Sequence, residues 1–368
     1  MRPLLYRRTP RRTSLLRHFK QLFDVVVLAS KSSAIFFGDR QLVSNPVTPS
    51  EPQVWLLIDD RAGNRAQCEG VATALGVEVA VKDLTYEWLG NLPNGVLGAS
   101  FAGLTSAGRA GLMPPWPDIV IAAGRRTAPV ARRIKRLSNG RTRLVQIMDP
   151  GPTGAEEFDL IAIPNHDDAN AAVNVMRITG APHGVTEARL AAARQTWAAS
   201  LEALPSPRIA VIVGGSTRRR QFTKTMAAEL GSLASAMATS CSGSLMVTTS
   251  RRTGEATSAL IGAITAPAQV HRWQSGGDNP YLGYLAWADA VIVTGDSMSM
   301  CSEACAQPGP VYIYGPSALI TDKHRRLHQE LFTAGYARPL DGHLEAWTHP
   351  PLNAAEAIAT AVRQRFEL

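Results

Sequence analysis

Residues 291–314 read VIVTGDSMSMCSEACAQPGPVYIY. An apolar run rich in β-branched residues breaks at Thr294, and a small polar turn follows through Gly295, Asp296 and Ser297. A stretch of Met, Ala and Cys then carries a single acid, Glu303, before a second apolar run begins at Val311. Apolar run, amphipathic stretch and apolar run in that order predict strand, helix and strand of a parallel unit.

Working outward, the same alternation covers the chain. The later half contains RIAVIVGG (208–215), SLMVTTS (244–250), QVHRW (269–273), DAVIVTG (289–295) and GPVYIYG (309–315). The earlier half contains VWLLI (54–58), EVAVKDL (78–84), DIVIAA (118–123), RLVQIM (143–148), DLIAIP (159–164) and NVMRITGAP (174–182), with helices starting at about Arg65 and Thr127. Near-continuous apolar runs are what strands buried on both faces require. The expected fold class is therefore α/β, with two Rossmann-like domains facing a cleft at the carboxyl ends of their strands. The expected boundaries are 53–185 for the first domain, 186–206 for a linker helix ending among Pro205 and Pro207, and 207–340 for a nucleotide-binding second domain. Within 341–368, the segment AAEAIATAVRQRF reads as a final helix packing back across the lobes.

The charge is located as unevenly as the apolar pattern is regular. The chain of 368 residues has 38 Lys and Arg against 30 Asp and Glu, a net charge of +8. Residues 1–23 hold Arg2, Arg7, Arg8, Arg11, Arg12, Arg17 and Lys20 with no acid, so 7 of those 8 charges lie in an arm spanning 1–50. The remainder is close to neutral, and nucleic acid is not an expected partner. The arm is too short and too interrupted by Asp24 and Lys31 to span a membrane. A disordered tail or translation from an unused upstream start is preferred for it over a membrane-surface anchor, so that the expected location is cytoplasmic, with peripheral membrane contact and a lipid-linked acceptor left open. Cys68, Cys241, Cys301 and Cys305 have no zinc-ribbon spacing, and no metal site is expected.

Candidate binding residues cluster at the predicted strand ends. DDRAGNRAQ (59–67) follows the first strand, and Gly63 with Asn64 suggests a turn whose amides approach an anion. It is neither G-x-G-x-x-G nor a P-loop, which removes support for a nicotinamide cofactor or ATP hydrolysis. Similar small or basic loops recur as Gly124, Arg125, Arg126 and Thr127, as Gly214, Gly215 and Ser216, and as Ser250, Arg251 and Arg252. Arg offers a planar donor fork to paired phosphate oxygens, and Ser or Thr adds hydroxyls. A lone Arg there is a solvated helix cap; the recurrence favours a polyphosphate or nucleotide-sugar site. In the opening stretch Gly295, Ser297 and Ser299 form the turn, with Asp296 beside them. Glu303, one turn into the helix, can accept bonds from neighbouring ribose hydroxyls, although a first-turn acid also serves simply as a cap. Trp273, with Tyr281 and Asn279 in the loop beyond it, suits a nucleobase, against the blander reading of Trp273 as a core residue.

These residues resemble a family. GGSTRRR with WADAVIVTGDSMSMCSEACAQPGPVYIYGP is similar to the donor-binding domain of GT-B glycosyltransferases, where a glycine-serine turn and a helix glutamate bind phosphates and ribose. More closely, IDDRAGNRAQCEG, PDIVIAAGRRTAPVA, VQIMDP, PNHDD, GAPHGVT, TSRRTG and DNPYLGYLAWADAVIVTGDSMSMCSEA resemble the mitochondrial-fission "elongated mitochondria" family, over about residues 53–340. The resemblance implies two readings. Plant members recruit a dynamin-like GTPase, an adaptor role, whereas the GT-B architecture implies a nucleoside-diphosphate sugar as substrate, no further cofactor, and transfer to an acceptor. Heavy Ala and Arg usage points to a bacterial chain and ranks enzyme over adaptor. A non-hydrolysing sugar-nucleotide epimerase shares the fold and is a third reading.

Transfer needs a base for the acceptor hydroxyl. Asp60, Asp149, His166 with Asp167, and His183 lie near predicted strand ends of the first domain. His166 beside Asp167 is the first choice, with a turn-forming His-Asp-Asp segment as the structural alternative. The pair Asp59 and Asp60 lies inside a glycine turn, which argues against a metal-binding role.

Overall fold

The computed structural model describes residues 51–168 and 171–368, without the side chain of Ala62. The basic arm expected at 1–50 lies outside the described residues.

The first sheet contains β1 (Val54–Ile58), β2 (Val79–Asp83), β3 (Ile119–Ala123), β4 (Arg143–Ile147), β5 (Leu160–Pro164) and β6 (Val175–Ile178). Its order is β2-β1-β3-β4-β5-β6, and every pairing is parallel. The second contains β7 (Arg208–Val213), β8 (Ser244–Thr249), β9 (Ala268–His271), β10 (Ala290–Thr294), β11 (Val311–Tyr314) and β12 (Arg338–Pro339). It runs β12-β11-β10-β7-β8-β9, again all parallel. All residues of β1, β3, β5, β10 and β11 are buried, as the continuous apolar runs require. The edge strands β2, β6, β9 and β12 are part-exposed. The two-residue β12, absent from the sequence reading, carries too few residues for a periodic signal.

Each sheet reverses its winding direction once, between β1 and β3 and between β7 and β10. At such a reversal neighbouring crossovers leave to opposite faces, opening a crevice beyond the strand ends. Asp59–Asn64 and Gly124–Thr127 sit at the first crevice, Gly214–Ser216 and Gly295–Ser299 at the second.

The final helix, Ala354–Phe366, packs on the Ala62–Leu75 helix, where Ile358, Ala359 and Val362 join Leu56, Cys68 and Val71 in one core. Burying such an aliphatic side chain contributes about 1.5–3 kcal/mol, which fixes the chain end to the first lobe. The single linker helix expected from sequence is two pieces, Glu187–Thr196 and Ala198–Leu201. The break falls at Trp197, whose ring lies so close to Gly283 that a Cβ there would be 2.4 Å from it. Trp287 Nε1 also donates to the Arg194 carbonyl at 2.9 Å, so packing against the Tyr281–Trp287 helix sets the linker's shape. No helix among the described residues is long and apolar enough to cross a membrane.

Candidate functional site

Between the two sheets lies a cleft of about 410 Å³. The first lobe contributes Gln67, Met148, Pro164, His166, Asp167 and Ala181 to its wall. The second contributes Thr217, Arg218, Arg252, Lys323, His324 and the run Asp296–Ser299.

The second-lobe wall is built around Asp296. The side chain is fully buried; Oδ2 accepts from the Gly215 amide at 3.0 Å and from Arg252 Nη1 at 2.5 Å. Arg252 Nη1 also donates to the carbonyls of Gly215 and Ser216, at 3.3 and 3.4 Å. Gly215 has φ +134, and a Cβ would lie 2.3 Å from the Arg252 carbonyl oxygen, so glycine is required for the two loops to touch. Ser250 Oγ closes the set by donating to the Gly214 carbonyl at 2.5 Å. One carboxylate oxygen, Asp296 Oδ1, has no partner among the described residues, nor has Gln67 Oε1 across the cleft. Buried acceptors left open in this way are candidates for a ligand's donors.

Engagement of the loop amides differs from expectation. Gly214, Gly215, Ser216 and Thr217 donate to Thr294 Oγ1, Asp296, the Arg252 carbonyl and the Arg220 carbonyl, so the loop after β7 has no free amides for an anion at those positions. Cation side chains, Arg218 exposed and Lys323 half-buried, face the cleft instead. After β10, Ser297 caps the Met298–Ala304 helix, its Oγ accepting from Met300 at 3.4 Å. Ser297, Met298 and Ser299 line the cleft.

Glu303 is not a first-turn acid. It is the sixth residue of the Met298–Ala304 helix, whose first turn contains no acid, and its carboxylate accepts from the Tyr281 hydroxyl. Burial pushes its pKa up against the opposing pull of Tyr281 and Arg189, and burial beside Glu303 holds Tyr281 well above the usual phenol range. The capping role is therefore corrected, and Tyr281 is its partner rather than a free nucleobase platform. Trp273 is 55% exposed, which corrects the core reading. It lines a second cavity, of about 610 Å³, with Ser250, Arg251 and Arg272. Arg251 lines that cavity and its neighbour Arg252 the cleft. Asn279 accepts from the Tyr281 amide at 3.1 Å, a local turn contact.

The first-lobe loops are arranged differently. Gly63 is helical, at the start of Ala62–Leu75, and not part of a turn. Asn64 is buried, donating to Asp59 at 3.0 and 3.1 Å. Gly124 does need its freedom: φ is +78, and a Cβ would lie 2.9 Å from Asn64 Nδ2. Arg125 Nη1 donates to the Leu92 carbonyl at 2.7 Å and to Asn94 Oδ1 at 3.1 Å; Arg126 pairs with Asp60 at 2.7 Å and lies over the Tyr86 ring at 4.1 Å. Thr127 Oγ1 donates to the carbonyls of Ala123 and Gly124. None of these residues lines the cleft, so the expectation that four such loops do is corrected: they tie the 86–94 segment to their own lobe.

His166 and Asp167 do reach the cleft, and they meet the second lobe there. Asp167 pairs with Lys323 at 2.5 Å, and Arg326 Nε donates to the His166 carbonyl at 2.9 Å. His166 Nδ1 stands 3.9 Å from Glu330 Oε2, while Asn165 donates to Glu330 Oε1 at 2.8 Å. Burial pushes the Glu330 carboxyl up, but these donors outweigh it and hold the pKa below the usual range. His183 is buried elsewhere, where desolvation lowers its pKa to about 4. Asp149 lies in a separate groove. Met148, at the cleft, has φ +67, a strained conformation for its side chain.

Gln67, Lys323 and His324 were not singled out from sequence. Gln67 lies one helical turn beyond Asn64, and Lys323 and His324 open the Asp322–Thr333 helix after β11, so the rule of looking at strand ends would have found the last two.

A family model described as Mitochondrial fission ELM1 matches residues 62–366. Mitochondrial fission protein ELM1 of Arabidopsis thaliana is 32% identical over 298 residues, 74% of this chain and 69% of the relative. Uncharacterized protein RP120 of Rickettsia prowazekii (strain Madrid E) is 28% identical over 353 residues, 84% of this chain and 97% of that protein. Among solved structures, MurG of Acinetobacter baumannii superposes with a TM-score of 0.50 at 13% identity, covering 85% of this chain and 100% of that one. That likeness is one of fold: two parallel α/β lobes of the GT-B type.

Proposed function

The chain belongs to the mitochondrial fission ELM1 family, and from the GT-B fold and the cleft together we propose that it binds a nucleoside-diphosphate sugar and transfers the sugar to an acceptor hydroxyl. The observation that carries this reading is the second-lobe wall, where Arg218, Arg252 and Lys323 meet the serines after β10 and the open acceptor Asp296 Oδ1. Such a wall matches a diphosphate with a hydroxyl-rich group beside it. Glu303 holds the ribose and exposed Trp273 stacks on the base. Because burial raises the Glu303 pKa, nucleotide affinity falls on acidification at a higher pH than an ordinary glutamate would give.

In the transfer, His166 takes the acceptor proton as the acceptor oxygen bonds to the anomeric carbon. The bond from that carbon to the diphosphate oxygen breaks, and its electron pair leaves on the diphosphate beside Arg218 and Lys323. Glu330 Oε2 stands 3.9 Å from His166 Nδ1.

Titration calorimetry with UDP, ADP and GDP tests the reading. Glu303→Gln keeps an acceptor for Tyr281 and is expected to weaken the preferred nucleotide about ten- to a hundredfold. Binding of none of the three removes the nucleotide reading. The non-catalytic adaptor reading, which the name of the Arabidopsis relative favours, then takes its place. Epimer formation from UDP-N-acetylglucosamine alone replaces transferase by epimerase.

A further inference from the structure

The cleft already holds an anion of its own. Among the described residues its cationic lining is Arg218, Arg252 and Lys323. Arg252 is committed to the buried Asp296 carboxylate, and Lys323 Nζ lies 2.5 Å from Asp167 Oδ1, a carboxylate that enters from the opposite wall. Arg218, which is exposed, is the cation left without an acid among the described residues. His324 adds no charge at neutral pH, because burial lowers its pKa. A diphosphate carries more negative charge than one exposed arginine matches, so it needs Lys323, and Lys323 is taken.

The helix that carries Lys323 also holds Asp167 in place. Lys323, Arg326 and Glu330 follow at i, i+3 and i+7 on one face of the Asp322–Thr333 helix, and each meets the first lobe within residues 165–168. Arg326 brackets Asp167: its Nε donates to the His166 carbonyl at 2.9 Å, and its Nη2 lies 3.5 Å from Asp168 Oδ2. Glu330 Oε1 accepts from Asn165 at 2.8 Å. From the first lobe itself, Arg177 Nη2 donates to the Asp167 carbonyl at 2.9 Å. A carboxylate pinned on both sides of its own residue meets Lys323 at a high effective concentration, as a tethered ligand does. With side chains 15% and 39% exposed, the pair is also screened less than one lying fully in solvent.

We propose that Asp167 is a built-in competitor of the ligand. Its carboxylate occupies the phosphate's place on Lys323, and a diphosphate entering the cleft displaces it, exchanging one ion pair for another while Arg326 and Glu330 keep the lobes joined. The inference rests on the diphosphate part of the reading above and adds its regulation: how firmly residues 165–168 are held sets the affinity.

Titration calorimetry on the full chain, with inorganic pyrophosphate and with UDP, ADP and GDP, tests the exchange. Asp167→Asn keeps the shape and removes the charge, and is expected to tighten pyrophosphate and the preferred nucleotide about five- to tenfold. Asp168→Asn removes the same charge one residue away, from a carboxylate that does not line the cleft, and should leave affinity within about twofold. Arg326→Gln loosens the pin. It also removes a positive charge, so net charge alone predicts weaker binding of an anion, whereas release of the competitor predicts binding about two- to threefold tighter. Affinity unchanged or weaker in either Asp167→Asn or Arg326→Gln overturns the proposal, as does an equal gain in Asp168→Asn, which would mean general repulsion. The nucleotide reading is judged separately. Nucleotide binding without these gains removes the competitor alone; pyrophosphate binding with the gains but without any nucleotide removes the nucleotide reading alone; binding of neither removes both.

Discussion

The loop after β3 and the loop after β8 carry nearly the same letters, GRRT at 124–127 and SRRT at 250–253. In the first lobe the two arginines are tied to Leu92, Asn94 and Asp60, all of their own lobe. In the second, Arg252 bonds to Asp296 at the cleft and Arg251 is exposed beside Trp273. The difference comes from what packs behind the loop. Between β2 and β3 the first lobe inserts the segment 84–118, whose carbonyls absorb the donors; between β8 and β9 the second lobe has only the Ala256–Gly262 helix and its flanks. One lobe uses its basic loop as a tether and the other presents it to a ligand.

The sharpest way to break this comparison is to truncate one arginine from each lobe. Arg252→Ala leaves the buried Asp296 carboxylate with the Gly215 amide alone, and because the Arg252 side chain is 33% exposed the loss is expected at the low end for a buried pair, about 3 kcal/mol. Arg126→Ala leaves Asp60, whose side chain is 68% exposed, to water, so a loss of about 1 kcal/mol is expected from the pair and the Tyr86 contact. Urea denaturation of both variants measures this, and equal losses would remove the distinction between tether and ligand wall.

This contrast marks where the sequence stopped being legible. The strands were readable because burial on both faces leaves continuous apolar runs, and the loops because strand ends at a winding reversal are where crevices open. Whether a donor is free depends on residues tens of positions away, such as Asn94 for Arg125 and Asp296 for Arg252. Glu330 makes the same point. In DKHRRLHQELF it reads as a surface acid on a distal helix, yet it accepts from Asn165 of the first lobe and faces His166. Helical spacing gives a face, not the identity of what that face meets.

A second test sharpens the account of the second-lobe turn. His328 is buried beneath it, Nε2 lying 3.0 Å from the Gly295 carbonyl oxygen, and desolvation lowers its pKa from 6.5 to about 4. Below about pH 6.5 the unfolded chain takes up the proton first, so this group's stabilisation is complete above that pH and is lost as pH falls towards 4. The shift corresponds to about 3 kcal/mol in all. His328→Gln keeps a donor for Gly295 and is expected to flatten stability against pH by about 1.4 kcal/mol per unit over that window. Denaturation midpoints at several pH values supply the measurement; slopes parallel to wild type would mean that the imidazole titrates normally and the turn is not closed over it.

The smallest expected effect belongs to Gly63, which sequence reading placed in an anion-binding turn. In the structure it is helical, its φ is not positive, and a Cβ would meet nothing within 4 Å. Alanine is favoured over glycine inside a helix by about 0.5–1 kcal/mol, less near an end, so Gly63→Ala is expected to raise stability by a few tenths of a kcal/mol. Nucleotide affinity should not change, because the first-lobe loop engages its own groups and lies off the cleft wall. Calorimetry and denaturation on the one variant read both quantities. A tenfold loss of nucleotide affinity without loss of stability would mean that the backbone at Gly63 approaches the ligand after all, and that the two lobes divide the phosphate between them (about 1.4 kcal/mol of binding moved to the first lobe).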